Sequence, residues 1–484
     1  MKNRRQLAVA IVMTVLGIAA LRDLSRLDNA LPWRTMDEFA DFYCAGWAID
    51  QRADPYRYEP LHACEHRVNV GNGFRAGLFA SNPPVAVPAP QPPFDFMPYA
   101  ALARLPAEQA RIVDGVAILA AVAACAAALA ALGVPIGLSL AALALSVAYV
   151  ELNTAQIVPF ALLALVLGGL ALARGRHPLA GVLLTLTAIE PSAGLPVIAA
   201  TLLFVPRARV AVMATALFLA LVSSLAVGPA GVLEYLTKVL PAHAGSELHF
   251  PFQYSLTSAL VYVGIDPTFA RIAGALSYVA LVVFGLVLAP RTSAVLERPE
   301  LLVFLPALSA VVAGPFLHQE ELCFALPALL ILAVSTRGAI RACAALALCV
   351  LAVPWILVWG AKQLFLASIF ICAAILLELE IALPVAFGFL CLIAATIYLF
   401  QLHPPHLPLP TARAWHAYLP NDLVQTEWRD YTDARSTRDA LWFAIKLPTW
   451  AALIGGLAIA ARCGLRPRPA FESSLGSSRE SRRR

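Results

Sequence analysis

The sequence predicts an all-α polytopic integral membrane protein with about 12–14 membrane segments and a large first periplasmic loop. Of its 484 residues, 60% are hydrophobic and only 13% are charged. The mean hydropathy is +0.76. Apolar runs separated by short polar turns fill most of the chain after residue 112, whereas residues 22–111 are rich in acids, bases and prolines. This composition excludes a soluble enzyme, whose surface needs more charged groups.

Apolar runs mark the predicted membrane segments. Residues 7–21 follow a basic start and lack a small-residue cleavage site behind them, so we interpret them as an uncleaved first helix. Later runs lie at 112–132, 134–150, 155–173, 177–189, 193–206, 208–227, 270–289, 301–317, 321–335, 339–359, 364–377, 381–400 and 442–461. The runs 177–189 and 193–206 are short and meet at Glu190, a pattern typical of a re-entrant hairpin.

Short-loop arginines predict the orientation, because they favour the cytoplasmic side. With the N-terminus inside, loops such as those carrying Arg174, Arg207 and Arg337 all fall inside, and eight of the nine histidines counted in the sequence fall outside. The excess of arginine over lysine suggests a bacterial source, so we expect a bacterial inner (plasma) membrane and a site that faces the periplasm.

This topology divides the chain into six predicted parts. They are a cytoplasmic start and first transmembrane helix at 1–21, a periplasmic loop with an interfacial helix at 22–111, a transmembrane bundle at 112–400, a proline-rich periplasmic loop at 401–440, a last transmembrane helix at 441–461 and a basic, disordered cytoplasmic tail at 462–484. Much of the net charge of +5 lies at the two ends. We therefore expect contact with membrane lipids and no nucleic-acid partner.

The first outer loop carries the first candidate for chemistry. The run from Met36 to Ala48 is predicted to form a short amphipathic helix on the membrane surface. Asp37 and Asp41 are four residues apart and share a face of that helix. A carboxylate pair at a membrane interface could deprotonate an acceptor hydroxyl. The alternative is a solvated run that only caps the helix.

Two of the nine cysteines, Cys44 and Cys64, lie in the outer loop, and the other seven lie in apolar segments. An oxidising periplasm favours a Cys44–Cys64 disulfide. The alternative is a zinc site in which both cysteines join His62 and His66.

Five motifs in order along the chain resemble glycosyltransferase family 87 of the GT-C superfamily, formerly domain of unknown function 2029. They are DFYCAGWAIDQRADPY at 41–56, PPFDFMPYAALARLP at 92–106, AQIVPF at 155–160, HPLAGVLLTLTAIEPSAGLPV at 177–197 and QYSLTSAL at 253–260. Glu190 stands where many relatives carry lysine, and Ala155 stands where they carry glycine.

The resemblance implies transfer of a hexose, often mannose, from a polyprenyl-phosphate sugar to a periplasmic lipid or glycan acceptor. It also implies that Asp41 is the general base. A carboxylate is ionised at neutral pH, and a lipid-phosphate leaving group needs only positive or hydrogen-bonding groups nearby. Attack opposite the leaving group would invert the anomeric centre. No cofactor is expected.

His318 is the second predicted catalytic residue, as a clamp for the donor phosphate, although a histidine at a segment end can simply meet water. The predicted substrate-binding residues are Asp37, Tyr43, Asn153, Gln156, Glu190, His243 and His249. Asn153 and Gln156 could instead cap backbone groups, and Glu190 could only break a helix. His243, Glu247 and His249 lack a standard metal-ligand spacing, so no metal is predicted.

A transporter or flippase of lipid-linked sugars is the main alternative function. Such a protein needs polar residues along its whole transmembrane path, whereas here the carboxylates, amides and histidines gather at one predicted face. A scaffold of an envelope complex would need none of Asp41, Glu190 and His318. The distribution of polar residues therefore favours an enzyme.

Overall fold

The computed structural model describes residues 2–25, 36, 38–72, 85–312, 314–408 and 417–465. It is 78% helical and has no strand among the described residues, where one isolated bridge joins Arg57 and Leu423. The predicted all-α class is therefore confirmed. Asp37 and the tail from residue 466 lie outside the described residues.

The described part of the first 102 residues includes the helices α1 (Lys2–Ser25), α2 (Phe39–Asp50), α3 (Tyr58–Asn72) and α4 (Phe96–Leu102). Helix α2 is buried at nine of its 12 residues, which is more than an amphipathic helix with a solvated face would show. It packs closely on α4, because a Cβ placed on Gly46 would lie 2.3 Å from the carbonyl carbon of Tyr99. The absence of a side chain at Gly46 permits this contact.

The remaining helices form the bundle and its outer cover. They are α5 (Ala107–Ala131), α6 (Ile136–Leu143), α7 (Val150–Thr154), α8 (Val158–Ala173), α9 (His177–Thr185), α10 (Pro191–Phe204), α11 (Arg209–Glu234), α12 (Leu240–Ser246), α13 (Leu256–Tyr262), α14 (Pro267–Leu296), α15 (Leu301–Ala310), α16 (Leu326–Ser335), α17 (Gly338–Ala352), α18 (Trp355–Val358), α19 (Leu364–Glu378), α20 (Leu383–Leu402), α21 (Val424–Ala434), α22 (Ala440–Ala444) and α23 (Leu447–Gly464). A 3-10 turn at Leu186–Ile189 joins α9 to α10, and another at Glu320–Ala325 leads into α16.

Six helical stretches in the described part of the chain are long and apolar enough to cross a membrane. They are Ala107–Ala131, Ile136–Thr154, Pro206–Ser246, Pro267–Leu296, Leu383–Leu402 and Ala440–Gly464, and seven shorter apolar helices accompany them. Large apolar side chains stand exposed on each of these stretches, and they include Val210, Leu225 and Phe269. Such surfaces suit contact with lipid chains rather than water.

The centre of the bundle is helix α15, in which only Leu302 is not fully buried. A helix that is apolar on every side is stable only when protein surrounds it. It packs against α14, α10 and α16. The bundle therefore has a largely apolar centre.

A disulfide joins Cys44 of α2 to Cys64 of α3, with 5.6 Å between their Cα atoms. The seven other cysteines form no disulfide. Within the described ranges, no group of three or more His, Cys, Asp or Glu side chains is placed to hold a metal ion. The structure thus has the geometry of the disulfide and not of the zinc alternative.

The first prediction concerns this disulfide. It closes a loop of about twenty residues and should stabilise the packing of α2 on α3 by on the order of 3 kcal/mol. A Cys44→Ala/Cys64→Ala variant should therefore unfold at a lower temperature in detergent than the wild type. Mass spectrometry of non-reduced peptides should find the two cysteines linked. Free thiols with bound zinc would favour the metal site, and free thiols without metal would exclude both.

Candidate functional site

A cavity of about 90 Å³ lies where α2, α7, α12 and the turn before α16 come together. Carboxylates, histidines and amides make up most of its polar wall, namely Glu38, Gln91, Asn153, Gln156, Glu190, His243, Glu247, His318, Gln319, Glu320 and Glu321. Aromatic side chains, including Phe250, Phe252, Phe316 and Trp428, form much of the rest. We call this space the central cavity. Among its described wall residues there is no lysine and no arginine.

Glu247 is the organising group of the central cavity. Its side chain is 2% exposed, and its Oε2 lies 2.7 Å from Nε2 of His318. The Nε1 of Trp428 donates a hydrogen bond of 2.6 Å to Oε1, and Nε2 of Gln253 donates one of 3.1 Å to Oε2. His243 lies one helical turn earlier, with Nε2 3.7 Å from Oε1. A buried carboxylate needs such partners to remain ionised.

The two groups of this ion pair hold each other in the charged state. Burial opposes a charge on His318, but the carboxylate of Glu247 outweighs that effect and raises the pKa of His318 to about 10. Burial also opposes a charge on Glu247, yet the positive charge of His318 lowers the pKa of Glu247 to about 2. His318 is therefore an imidazolium at neutral pH, although free histidine is mostly neutral there.

Glu321 fixes the turn that carries His318. The backbone N–H of His318 donates a hydrogen bond of 2.6 Å to Oε2 of Glu321. Burial raises the pKa of Glu321 to about 7, although the charge of His318 acts in the opposite direction. Glu321 thus fixes the shape of the short Pro315–Gln319 turn that precedes it. This turn places the imidazolium of His318 at the cavity.

Glu38 and Gln156 meet on the other side of the cavity. The side-chain amide of Gln156 donates a hydrogen bond to Oε2 of Glu38, and the backbone N–H of Glu38 donates one of 2.9 Å to the carbonyl of Thr154. Glu38 directly precedes α2. The contact thus ties the start of α2 to the break between α7 and α8.

That break requires an unusual backbone conformation. Ala155 ends α7 with φ 65° and ψ 38°, the left-handed region in which a Cβ is unfavourable and glycine is preferred. The backbone turn directs Gln156 away from the helix axis and places it on the cavity wall.

Glu190 occupies the tip of the α9–α10 hairpin and lines the cavity. Its backbone carbonyl accepts a hydrogen bond of 2.8 Å from the N–H of Gly194, and the hydroxyl of Ser192 lies 3.4 Å from its Oε1. A Cβ on Gly194 would lie 2.2 Å from the carbonyl oxygen of Thr187. The small residue lets the hairpin close tightly, so the carboxyl of Glu190 is held at the cavity.

The structure brings together five of the predicted site residues. Asn153, Gln156, Glu190, His243 and His318 all line the central cavity. These residues come from four separate parts of the sequence, which supports a common site on one face of the molecule.

Three other predicted site residues lie elsewhere. Asp41 is 1% exposed on α2, and the hydroxyl of Tyr43 donates a hydrogen bond of 2.9 Å to the carbonyl of Leu105. His249 lies outside the cavity with Nδ1 2.9 Å from Oδ1 of Asp433. None of the three is on the wall of the central cavity, and Asp37 lies outside the described residues.

Sequence reasoning did not assign four residues that shape the site. Glu38, Gln253 and Trp428 received no role, and Glu247 was weighed only as a metal ligand beside His243 and His249. The partner of Glu247 is His318, 71 residues away. Of these four residues, only Glu38 could have been identified as a site candidate from the sequence, because it stands in the same acidic run as Asp41.

Part of the chain matches a known protein family. Residues 91–315 match the sequence model of one family. It is glycosyltransferase family 87. The resemblance predicted from the sequence is thereby confirmed, and the match indicates a membrane glycosyltransferase. The matched range holds Gln156, Glu190 and Glu247, whereas Asp41 precedes it and His318 follows it. No curated protein and no solved structure matches the chain.

The second prediction concerns the charge on His318. A Glu247→Gln variant loses the carboxylate that raises the pKa of His318 most, while burial still lowers that pKa, so the pKa should fall from about 10 and more of the imidazole should be neutral at pH 7.5 than in the wild type. Diethyl pyrocarbonate reacts with neutral imidazole, and modified peptides can be counted by mass spectrometry. At about pH 7.5 His318 should resist modification in the wild type and react in the variant, while exposed His403 should react in both. Equal reactivity of His318 in both proteins would contradict the ion pair.

The third prediction concerns Ala155. An Ala155→Gly variant should be more stable by about 1 kcal/mol, because glycine adopts the left-handed conformation without a steric cost. The thermal unfolding midpoint in detergent should rise. The matched control is Ala127→Gly on the exposed side of α5, where glycine in a helix should cost about 1 kcal/mol. A loss of stability in both variants would show that Ala155 is not strained.

Proposed function

We propose that this membrane glycosyltransferase moves a hexose, mannose being the first candidate, from a polyprenyl-phosphate sugar to a lipid or glycan acceptor at the periplasmic face of a bacterial inner membrane. The observation that carries the proposal is the central cavity, where an imidazolium faces carboxylates and amides. Carboxylates and amides are suitable hydrogen-bonding partners for sugar hydroxyls, and the imidazolium can stabilise developing negative charge.

The reaction needs few participants. The oxygen of the acceptor hydroxyl attacks C1 of the hexose, the bond between C1 and the phosphate oxygen breaks, and polyprenyl phosphate leaves with the bonding electrons. The acceptor proton passes to a carboxylate acting as general base. Attack on the face opposite the phosphate inverts the configuration at C1. A phosphate leaves as an anion, so the positive charge of His318 would assist departure without donating a proton.

Two carboxylates compete for the role of general base. The family resemblance implies Asp41, and the structure adds Glu38, one helical turn earlier. Glu38 lines the central cavity, and the Gln156 amide that donates to it would orient its carboxylate. Asp41 is buried in α2 and does not line that cavity. A base must reach the proton that it accepts, so the geometry favours Glu38.

The fourth prediction tests the function itself. Purified protein, given a labelled polyprenyl-phosphate hexose and extracted membrane lipids in detergent, should form a labelled glycolipid without any potential or ion gradient. The alternative, a transporter or flippase of lipid-linked sugars, would move its substrate across a bilayer and form no product in this assay. Absence of product with every polyprenyl-phosphate hexose tried would overturn the proposed donor class. Nuclear magnetic resonance of the product reports whether the anomeric configuration is inverted.

The fifth prediction separates the two candidate bases. Glu38→Gln and Asp41→Asn each keep the size of the side chain and remove its charge. The variant that lacks the base should lose about 10²- to 10⁴-fold in kcat while still binding the donor, and we expect this loss in Glu38→Gln. Thermal unfolding midpoints identify any variant that is merely destabilised. A large loss of kcat in Asp41→Asn alone would return the role to Asp41.

A further inference from the structure

A second cavity, of about 400 Å³, lies beside the central cavity. It is formed by residues 248–262, around α13, and residues 433–450, around the start of the last candidate membrane span. We call it the interfacial pocket. Its volume is in the range of about 300–1,000 Å³ that small-ligand sites occupy. Neither the transfer step nor the predicted binding residues, apart from His249, make use of it.

The interfacial pocket holds a buried lysine. Lys446 is 6% exposed and lines the pocket. Its Nζ donates a hydrogen bond of 2.5 Å to the backbone carbonyl of Gln253 and lies 5.9 Å from the ring centroid of Tyr254. None of the ion pairs between described residues involves Lys446. A buried ammonium with only a neutral partner is costly, so an anionic ligand would stabilise it.

The rest of the wall suits an amphiphile. Exposed Arg438 supplies a second cation, and the pocket's carboxylate, Asp433, is already paired with His249. Tyr262, Phe443 and Trp450 are among the aromatic residues that face the same space. Aromatic and basic side chains at the end of a membrane span are typical of the membrane interface. The pocket therefore offers positive charge beside apolar surface.

The two cavities adjoin each other. Phe250 lines both of them. Gln253 joins their polar groups, because its backbone carbonyl accepts from Lys446 and its side chain donates to Glu247. The central cavity has no lysine or arginine among its described wall residues, and its imidazolium is already paired with Glu247, so a phosphate would find more cationic partners in the interfacial pocket.

We infer that the interfacial pocket binds the phosphate of the lipid-linked donor, with Lys446 and Arg438 as its cationic partners, while the sugar extends past Phe250 into the central cavity. This inference rests on the proposed function. It assigns the polyprenyl phosphate to a site that contains none of the predicted site residues except His249. His318 then assists departure of the phosphate, as proposed above, without being its main ligand.

The test uses three neutralising variants of the full-length protein. Lys446→Gln keeps a donor for the Gln253 carbonyl, and Arg438→Gln changes an exposed residue and should leave folding intact. Lys362→Gln is the matched control, because Lys362 is exposed and lines neither cavity. Donor KM should rise about tenfold to hundredfold in the first two variants, as expected for loss of a charged hydrogen bond, with kcat and acceptor KM changed much less. The control should match the wild type.

A binding measurement separates this inference from the proposed function. Sugar-free, labelled polyprenyl phosphate should bind the wild type and the Lys362→Gln control, and should bind Lys446→Gln and Arg438→Gln at least tenfold more weakly. Inorganic phosphate and vesicles of phosphatidylglycerol should compete poorly. Effective competition by either would make the pocket a general anion or bilayer-lipid site. Unchanged polyprenyl-phosphate binding in both variants, or a rise only in acceptor KM, would overturn the inference even if the transfer reaction is observed.

Discussion

The structure of the site depends on one buried carboxylate, that of Glu247. It accepts hydrogen bonds from Gln253 and Trp428 and forms an ion pair with His318. These three residues lie in segments that are far apart in the sequence. Each partner alone would be a poor match for a buried charge, because an isolated carboxylate is very costly to remove from water. Together they hold Glu247 ionised, and in return Glu247 fixes α21, the segment after α12 and the turn before α16 around one cavity.

The same constraint sets the charge of the cavity. Five carboxyl groups surround a space of about 90 Å³, with two histidines as the only basic side chains among the described wall residues. Like charges this close cannot all be ionised. The Glu247–His318 pair is electrically neutral as a unit, so the character of the cavity is set by the remaining carboxyls, of which Glu321 has a pKa raised to about 7. Such a cavity is better suited to polyhydroxyl groups than to a dianionic phosphate.

Much of the fold could be predicted from the sequence, because apolar run length and the distribution of arginines and histidines are local properties. The all-α class follows from composition, and the pairing of Cys44 with Cys64 follows from the small number of cysteines outside the apolar runs. Polar residues in or beside membrane segments are energetically costly and usually functional. The sequence could therefore single out Asn153, Gln156, Glu190 and His318. Their meeting in one cavity is a tertiary property that the runs do not specify.

The residues that sequence reasoning did not assign share a physical reason. Spacing relates residues within one helix, so it grouped Glu247 with His243 and His249, yet the shortest contact of Glu247 is with His318 across 71 positions. Spacing likewise grouped Asp41 with Asp37 as two carboxylates on one helical face. It could not show that α2 is buried by α3 and α4, which encloses Asp41.

The position of Glu38 follows from where α2 begins. Residues inside a helix that is packed on several sides face its neighbours, whereas the residue just before the first turn can extend beyond the packed region. Glu38 is that residue, and its backbone N–H is already bound by the carbonyl of Thr154. The break at Ala155 then brings Gln156 to the carboxylate. A helix start and a helix end, each with backbone groups that need partners, thus create a polar pair on the cavity wall, where a reacting hydroxyl can be reached.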